Sequence, residues 1–240
     1  LISVQERRSY PIMVEQQVRA MEPKTTPKPK KTKAATVKRK PGRPKGSKNK
    51  TQVTLTTELE LIKNMVLKLL LLINGHLPLT YLVLDGHFGN NNALQMTRQC
   101  GLHLISKLRH DAALYIPYAG LQKKHGQRRK YGDQIDYDNL PSAYLKQTTV
   151  DEGIQTRIYQ AALWHKEFPH QLNVVIIVKV NLATSVQAHV VLFSGDLSLA
   201  YDQLIDYYAL RFQIVDLPAF GGHQSCLRWQ SLKLCRCEIV

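Results

Sequence analysis

No uninterrupted apolar run in this 240-residue chain is long enough to cross a bilayer as a helix, which takes roughly 18 residues or more. The longest candidates, 65–73 and 174–180, are broken by Lys68 and Lys179. The beginning of the chain also lacks the layout of a secretion signal. Cysteine is scarce, with four residues: Cys100, Cys226, Cys235 and Cys237. Cys235 and Cys237 are one residue apart and Cys226 stands alone, so the pattern excludes two metal-type pairs. Free thiols in a reducing cytoplasm are the plain reading. Acidic residues are few, 18 against 33 Lys and Arg, for a net charge of +15. No sequence repeat is present. The first residue is Leu1 rather than Met, so the sequence reads as a fragment or a non-standard start.

The apolar fraction of 44% is enough to build a core, and the length suits one large domain or two small ones. The positive charge is concentrated. Residues 23–50 hold twelve Lys and Arg, five Pro, two Gly and no acid, which leaves the remainder of the chain at only +3. Such a stretch repels itself and has too little apolar surface to fold alone, so it reads as a disordered basic arm. Within it, Gly42-Arg43-Pro44 flanked by Lys40, Lys45 and Lys48 resembles the core of AT-hook minor-groove binding arms. Proline keeps such an arm extended, and Arg43 suits the enhanced negative potential of a narrow A·T groove. Lys40, Arg43, Lys45 and Lys48 are therefore candidates for nucleic-acid contact, with a solvated basic linker as the alternative.

Elsewhere hydrophobic periodicity predicts a helix over 56–73, capped by Thr56 or Thr57 and stopped by Asn74-Gly75. A short buried strand over 81–84 ends in Asp85-Gly86, a helix over 91–100 ends at Gly101, and a strand follows over 102–108. Strand–helix–strand order marks an α/β domain. Residues 117–152 are polar and turn-rich; three strands follow over 156–164, 173–180 and 188–194, then a helix over 198–214. After Ile214 the periodicity stops. The opening 1–18 alternates loosely, like the tail of a strand followed by a loop.

Asp85 is the first candidate for chemistry. A carboxylate just beyond the C-terminal end of a buried strand lies where open α/β sheets place their sites. With two more carboxylates it would hold Mg²⁺. Asp-Gly after a strand is also ordinary turn punctuation, and both readings stay open. His87 reads as a surface group, and Asn90, Asn91 and Asn92 as helix caps. A second basic cluster, Lys123, Lys124, Arg128, Arg129 and Lys130, has Tyr118 and Tyr131 as neighbours. It suits a phosphate backbone and equally a solvent-facing loop. On the last helix Asp202, Asp206, Tyr207, Tyr208 and Arg211 fall within three turns. On their own they read as a solvated, salt-bridged face.

Two stretches carry a family likeness. YLVLDGHFGNNNALQMTRQCGLHLISKLRHDAALYIPYAG, residues 81–120, resembles the region of the second catalytic aspartate in IS4-type DDE transposases. VVLFSGDLSLAYDQLIDYYALRFQI, residues 190–214, resembles the stretch leading to their catalytic glutamate. The resemblance implies an α/β fold, a ribonuclease-H-like core that is incomplete here and interrupted by a mostly β insertion. It implies DNA as partner, no membrane, and two Mg²⁺ ions in the intact family. Asp85 would be the second metal-binding aspartate, with Tyr208 and Arg211 in the family's Tyr-x2-Arg pair. The glutamate and lysine that continue the motif are replaced by Val215 and Gly222, and neither does that work.

The expected organisation is a core remnant over 1–22, the arm over 23–50, a core α/β segment over 51–116, the β insertion over 117–194, a core helix over 195–214 and an out-of-frame tail over 215–240. Strand transfer is expected to be lost, with Mg²⁺ not functionally bound. The alternatives are a non-enzymatic nucleic-acid binder working through the arm, or an accessory fragment that associates with and inhibits an intact transposase. The expected location is cytoplasmic, associated with a prokaryotic nucleoid when DNA-bound.

Overall fold

The computed structural model describes residues 1–10, 12, 49–122 and 124–211. The arm candidates Lys40, Arg43, Lys45 and Lys48, the loop residue Lys123, and the tail with Val215 and Gly222 lie outside the described residues.

The chain opens with a small hairpin, β1 (Ile2–Ser3) and β2 (Arg8–Ser9), which pairs only with itself. Sequence alternation over 1–18 suggests the tail of a strand followed by a loop. Two-residue strands joined by a turn with Arg7 at φ 51° form instead. Helix α1 (Thr57–Ile73) starts where Thr56 Oγ1 accepts from the Leu59 amide at 3.3 Å. It stops where Asn74 turns left-handed and its amide donates to the Leu70 carbonyl. Next come β3 (Tyr81–Val83), α2 (Asn91–Gln99) and β4 (His103–Lys107), with β3 and β4 parallel, as the strand–helix–strand pattern predicts. Five further strands follow: β5 (Leu114–Pro117), β6 (Tyr131–Gln134), β7 (Leu145–Asp151), β8 (Ile154–His165) and β9 (Leu172–Asn181). Strand β10 (Gln187–Ser194) and helix α3 (Tyr201–Leu210) complete the described fold.

Eight strands make one mixed sheet in the order β3-β4-β10-β9-β8-β5-β6, with β7 also paired to β8. Its centre is β9, buried continuously from Leu172 to Val178. Side chains alternate across a strand, so a run buried throughout needs cover on both faces. Val174, Ile176 and Val178 face one core together with Leu104, Phe193 and Val191, under α1 and α2. Val175 and Ile177 face the other with Ile105 and Leu192, under Leu204, Ile205 and Tyr208 of α3. The result is a helix–sheet–helix stack, an α/β fold with a mixed sheet. Strands from 117–194 continue the sheet that holds β3 and β4, since β10 pairs with β4.

Helix α3 begins three residues later than its apolar period suggests. Asp196 Oδ1 accepts from the Ser198 amide and hydroxyl, and the buried Asn173 amide donates to the carbonyls of Asp196 and Leu199. Those bonds hold 196–199 as a turn. Strands β5, β6 and β7 arise inside or beside a stretch that reads as turns. Strand β7 is exposed along its whole length and buries neither face, so it has no period to detect.

Phe193 is fully buried and meets Phe168 edge-to-face at 5.5 Å. Truncating it removes a large buried ring, so Phe193→Ala should lower unfolding free energy by about 3–5 kcal/mol in urea denaturation. Val150→Ala on exposed β7 should change it by less than about 0.5 kcal/mol.

Candidate functional site

Asp85 follows the last residues of β3, where the Leu84 amide still donates to Ile105. Buried Ser106 donates to the Asp85 carbonyl at 2.8 Å, fixing the strand end against β4. The chain then makes a single 3-10 turn, Gly86–Phe88, capped by the Asp85 side chain accepting from the Gly86 amide at 2.6 Å. Glycine is required here for space: a Cβ on Gly89 would lie 2.1 Å from the Lys107 carbonyl oxygen. Asp85 therefore serves as the turn residue that Asp-Gly suggests, yet its side chain stays 61% exposed.

The same carboxylate receives a cation from α3. Arg211 Nη1 lies 3.4 Å from Asp85 Oδ1, and the Arg211 side chain is only 21% exposed. Arg211 also reaches the Tyr208 hydroxyl at 3.5 Å and sits 5.1 Å from its ring centroid. Asp85, Tyr208 and Arg211, three positions singled out from sequence, thus meet at one end of the sheet. The solvated-face reading of the last helix is corrected for this pair. Tyr208 is 5% exposed because α3 turns it, with Leu204 and Ile205, onto the sheet. Asp206 instead binds Arg7 of the hairpin at 2.9 Å, and Asp202 stays at the surface.

His87 is 74% exposed and lies 3.7 Å from Glu58, as a surface group. Asn90 caps α2 by accepting from the Ala93 amide, and Asn91 donates to the Lys50 carbonyl. Among the described residues no group of three His, Cys, Asp or Glu comes together to hold a metal ion. Asp85 Oδ1 already meets a guanidinium and an amide. Two Mg²⁺ ions need several converging carboxylate oxygens, so the described residues do not fit them.

At the start of β3, the Tyr81 hydroxyl donates to Asp196 Oδ2 at 2.7 Å. Burial, then the Asp196 carboxylate, pushes the Tyr81 phenol up to about 12. For Asp196, burial works to raise the carboxyl, but hydrogen bonds from Ser198 and Tyr81 outweigh it and hold it below its usual value.

A second site forms where β5, β6 and the end of β8 meet. Tyr115 pairs with Trp164 across β5 and β8, and Pro117 with Tyr131 across β5 and β6, which puts these rings on one face. Tyr131 contacts both Tyr115 and Trp164 edge-on, at 5.6 and 5.9 Å. Beside them opens a cleft of about 940 Å³, to which Arg128, Arg129 and Lys130 of the second basic cluster contribute. Lys124, also from that cluster, is exposed and does not line the cleft. Lys50 and Lys166 join from distant sequence, and sequence reasoning missed Lys166 and Trp164 altogether. No spacing links them to the cluster; only the β5–β8 pairing does.

Against this geometry, a family model for the DDE superfamily endonuclease matches residues 9–171. That match covers more than half of the chain, Asp85 and the whole basic cluster included. The chain belongs to the DDE superfamily endonuclease family. The matched span ends before β9, so Tyr208 and Arg211 lie outside it. No curated protein matches the sequence.

The raised Tyr81 pKa has a pH signature. A phenol held above its unfolded value of about 10 stabilises the fold fully below that pH and loses the contribution as pH rises through its folded value. Unfolding free energy should therefore fall between about pH 10 and 12, and Tyr81→Phe should flatten that part of the profile in alkaline denaturation.

Proposed function

We propose that this chain is a degenerate DDE transposase of the IS4 type that retains DNA binding and has lost strand cutting and transfer. In an intact enzyme of this kind, carboxylates place two metal ions that activate a water or 3′-hydroxyl and stabilise the leaving oxygen. Asp85 would be the surviving second aspartate, supported by Tyr208 and Arg211. The observation that carries the reading is the Arg211–Asp85 pair at 3.4 Å. A guanidinium neutralises the one carboxylate that the family pattern assigns to metal, and no group of three His, Cys, Asp or Glu that could hold a metal ion forms among the described residues. The parallel β3–α2–β4 unit with Asp85 at its strand end supports a ribonuclease-H-like origin. Val215 and Gly222, at the family's glutamate and lysine positions, support loss of chemistry from sequence alone.

DNA as partner rests on the family and on charge. The net +15 is gathered in the arm and in the β5–β6 cleft, which favours a polyanion over a generic soluble surface. A non-enzymatic binder is thus the functional half that remains.

The purified chain, incubated with supercoiled plasmid and Mg²⁺ or Mn²⁺, should leave the plasmid closed, and Asp85→Ala should behave identically. Metal-dependent nicking that disappears in Asp85→Ala would overturn the proposal. Arg211→Ala should not restore cutting, because removing the cation supplies no missing carboxylate.

A further inference from the structure

Three regions stand outside the Asp85 site: exposed leucines on α1, the hollow beside Glu58 and His87, and the basic cleft between β5, β6 and the end of β8. Leu71 and Leu72 of α1 are 79% and 66% exposed, but nothing identifies what would cover them. The hollow has Glu58 and Glu167 against His87, an ordinary surface charge pairing. The cleft carries more.

Its cations are seated rather than loose. Lys166 Nζ lies 4.6 Å from the Tyr115 ring centroid, Lys130 Nζ 5.2 Å from that of Trp164, and the Arg129 guanidinium 4.5 Å from that of Tyr118. A ring face attracts a cation without neutralising its charge, so the rings locate three long side chains that would otherwise sweep through solvent. The loop that carries two of them is tied shut. Gln122 accepts from the Arg129 amide at 2.8 Å and donates to its carbonyl at 2.9 Å, and Arg129 Nε donates to the Tyr131 carbonyl. Lys50 closes another wall, its ammonium donating to the Lys166 carbonyl and its own carbonyl accepting from Asn91. Among the described residues five cations line the cleft and no carboxylate does. Glu167, between Lys166 and Phe168 in sequence, faces the neighbouring hollow instead.

We infer that this cleft is a phosphodiester-binding site in its own right, in which Lys130 and Lys166, held over Trp164 and Tyr115, grip the sugar–phosphate backbone of DNA. Because the ring faces carry the lysines, contact runs through phosphate and is indifferent to base sequence. Lys50, the last residue of the basic stretch 23–50, lines the cleft together with Asn49. The positive field is felt nearby: burial, then Arg98 and Lys130, holds the His170 imidazole below its ordinary value. This inference deepens the DNA-binding half of the proposed function and is independent of whether the chain cuts DNA.

Two full-length variants separate cleft from arm: Lys130→Gln with Lys166→Gln, and Lys40→Gln with Arg43→Gln and Lys45→Gln. Each is titrated by fluorescence anisotropy against a short thymidine oligonucleotide and against an unrelated duplex, over a salt series. Both lysines are exposed, and an unchanged thermal melt shows that the fold survives. Removing two phosphate contacts should weaken binding by about tenfold or more and flatten the log–log salt slope by about 1.4 for the single strand or 1.8 for the duplex. The loss should be the same for other base sequences. Whichever probe loses more identifies the form of DNA held. As a second readout, saturating oligonucleotide should raise the His170 pKa in the arm variant and leave it unmoved in the cleft variant. The inference is overturned if the cleft variant binds both probes with wild-type affinity and slope while the arm variant loses binding. Plasmid nicking would refute loss of cutting and leave this result standing.

Discussion

A strand that is apolar on both sides dictates most of this molecule. β9 buries every residue from Leu172 to Val178, and such a strand folds only with a layer of helix or sheet residues on each face. Burying Val174, Ile176 and Val178 on one face and Val175 and Ile177 on the other requires α1 and α2 above and α3 below. Each fully buried aliphatic side chain contributes about 1.5–3 kcal/mol, more than the local preferences of the loops that connect the layers. The helices are placed by that demand. Their polar residues follow.

The position of Arg211 is one consequence. Because α3 must set Leu204, Ile205 and Tyr208 on the sheet, its last turn ends over the C-terminal end of β3, where Asp85 emerges. The guanidinium and carboxylate meet there as a by-product of packing, one acid against one base. The basic cleft is a consequence of the other strands. Antiparallel pairing of β5 with both β6 and β8 brings Tyr115, Tyr131 and Trp164 onto one face, and the lysines settle on their rings. Lys50 joins the two regions, bonded on one side to Asn91 after the Asp85 turn and on the other to Lys166.

How much of this could be read beforehand depended on whether local pattern carried the information. α1, α2, β3, β4 and the three long strands have strong periods or cap residues, and the structure places them within a few residues of expectation. Thr56 and Asn90 cap as their types suggest. β7 was invisible because an exposed strand paired to β8 buries nothing. The two-residue strands of the hairpin are too short to show a period. Asp85 was legible as a candidate because a carboxylate after a buried strand is a local feature, whereas its partner Arg211 read locally as part of a solvated helix face. That the two touch, 126 positions apart in the chain, is a tertiary fact. So is the recruitment of Lys166 and Trp164, which no spacing rule ties to the 123–130 cluster.

The most direct test of the account is a crystal of the full chain soaked in Mn²⁺, with anomalous scattering used to locate the ions. The Arg211–Asp85 pairing predicts no manganese at the end of β3 and a guanidinium still within ion-pair distance of the carboxylate. Two manganese ions held there by Asp85 together with further carboxylates would contradict it.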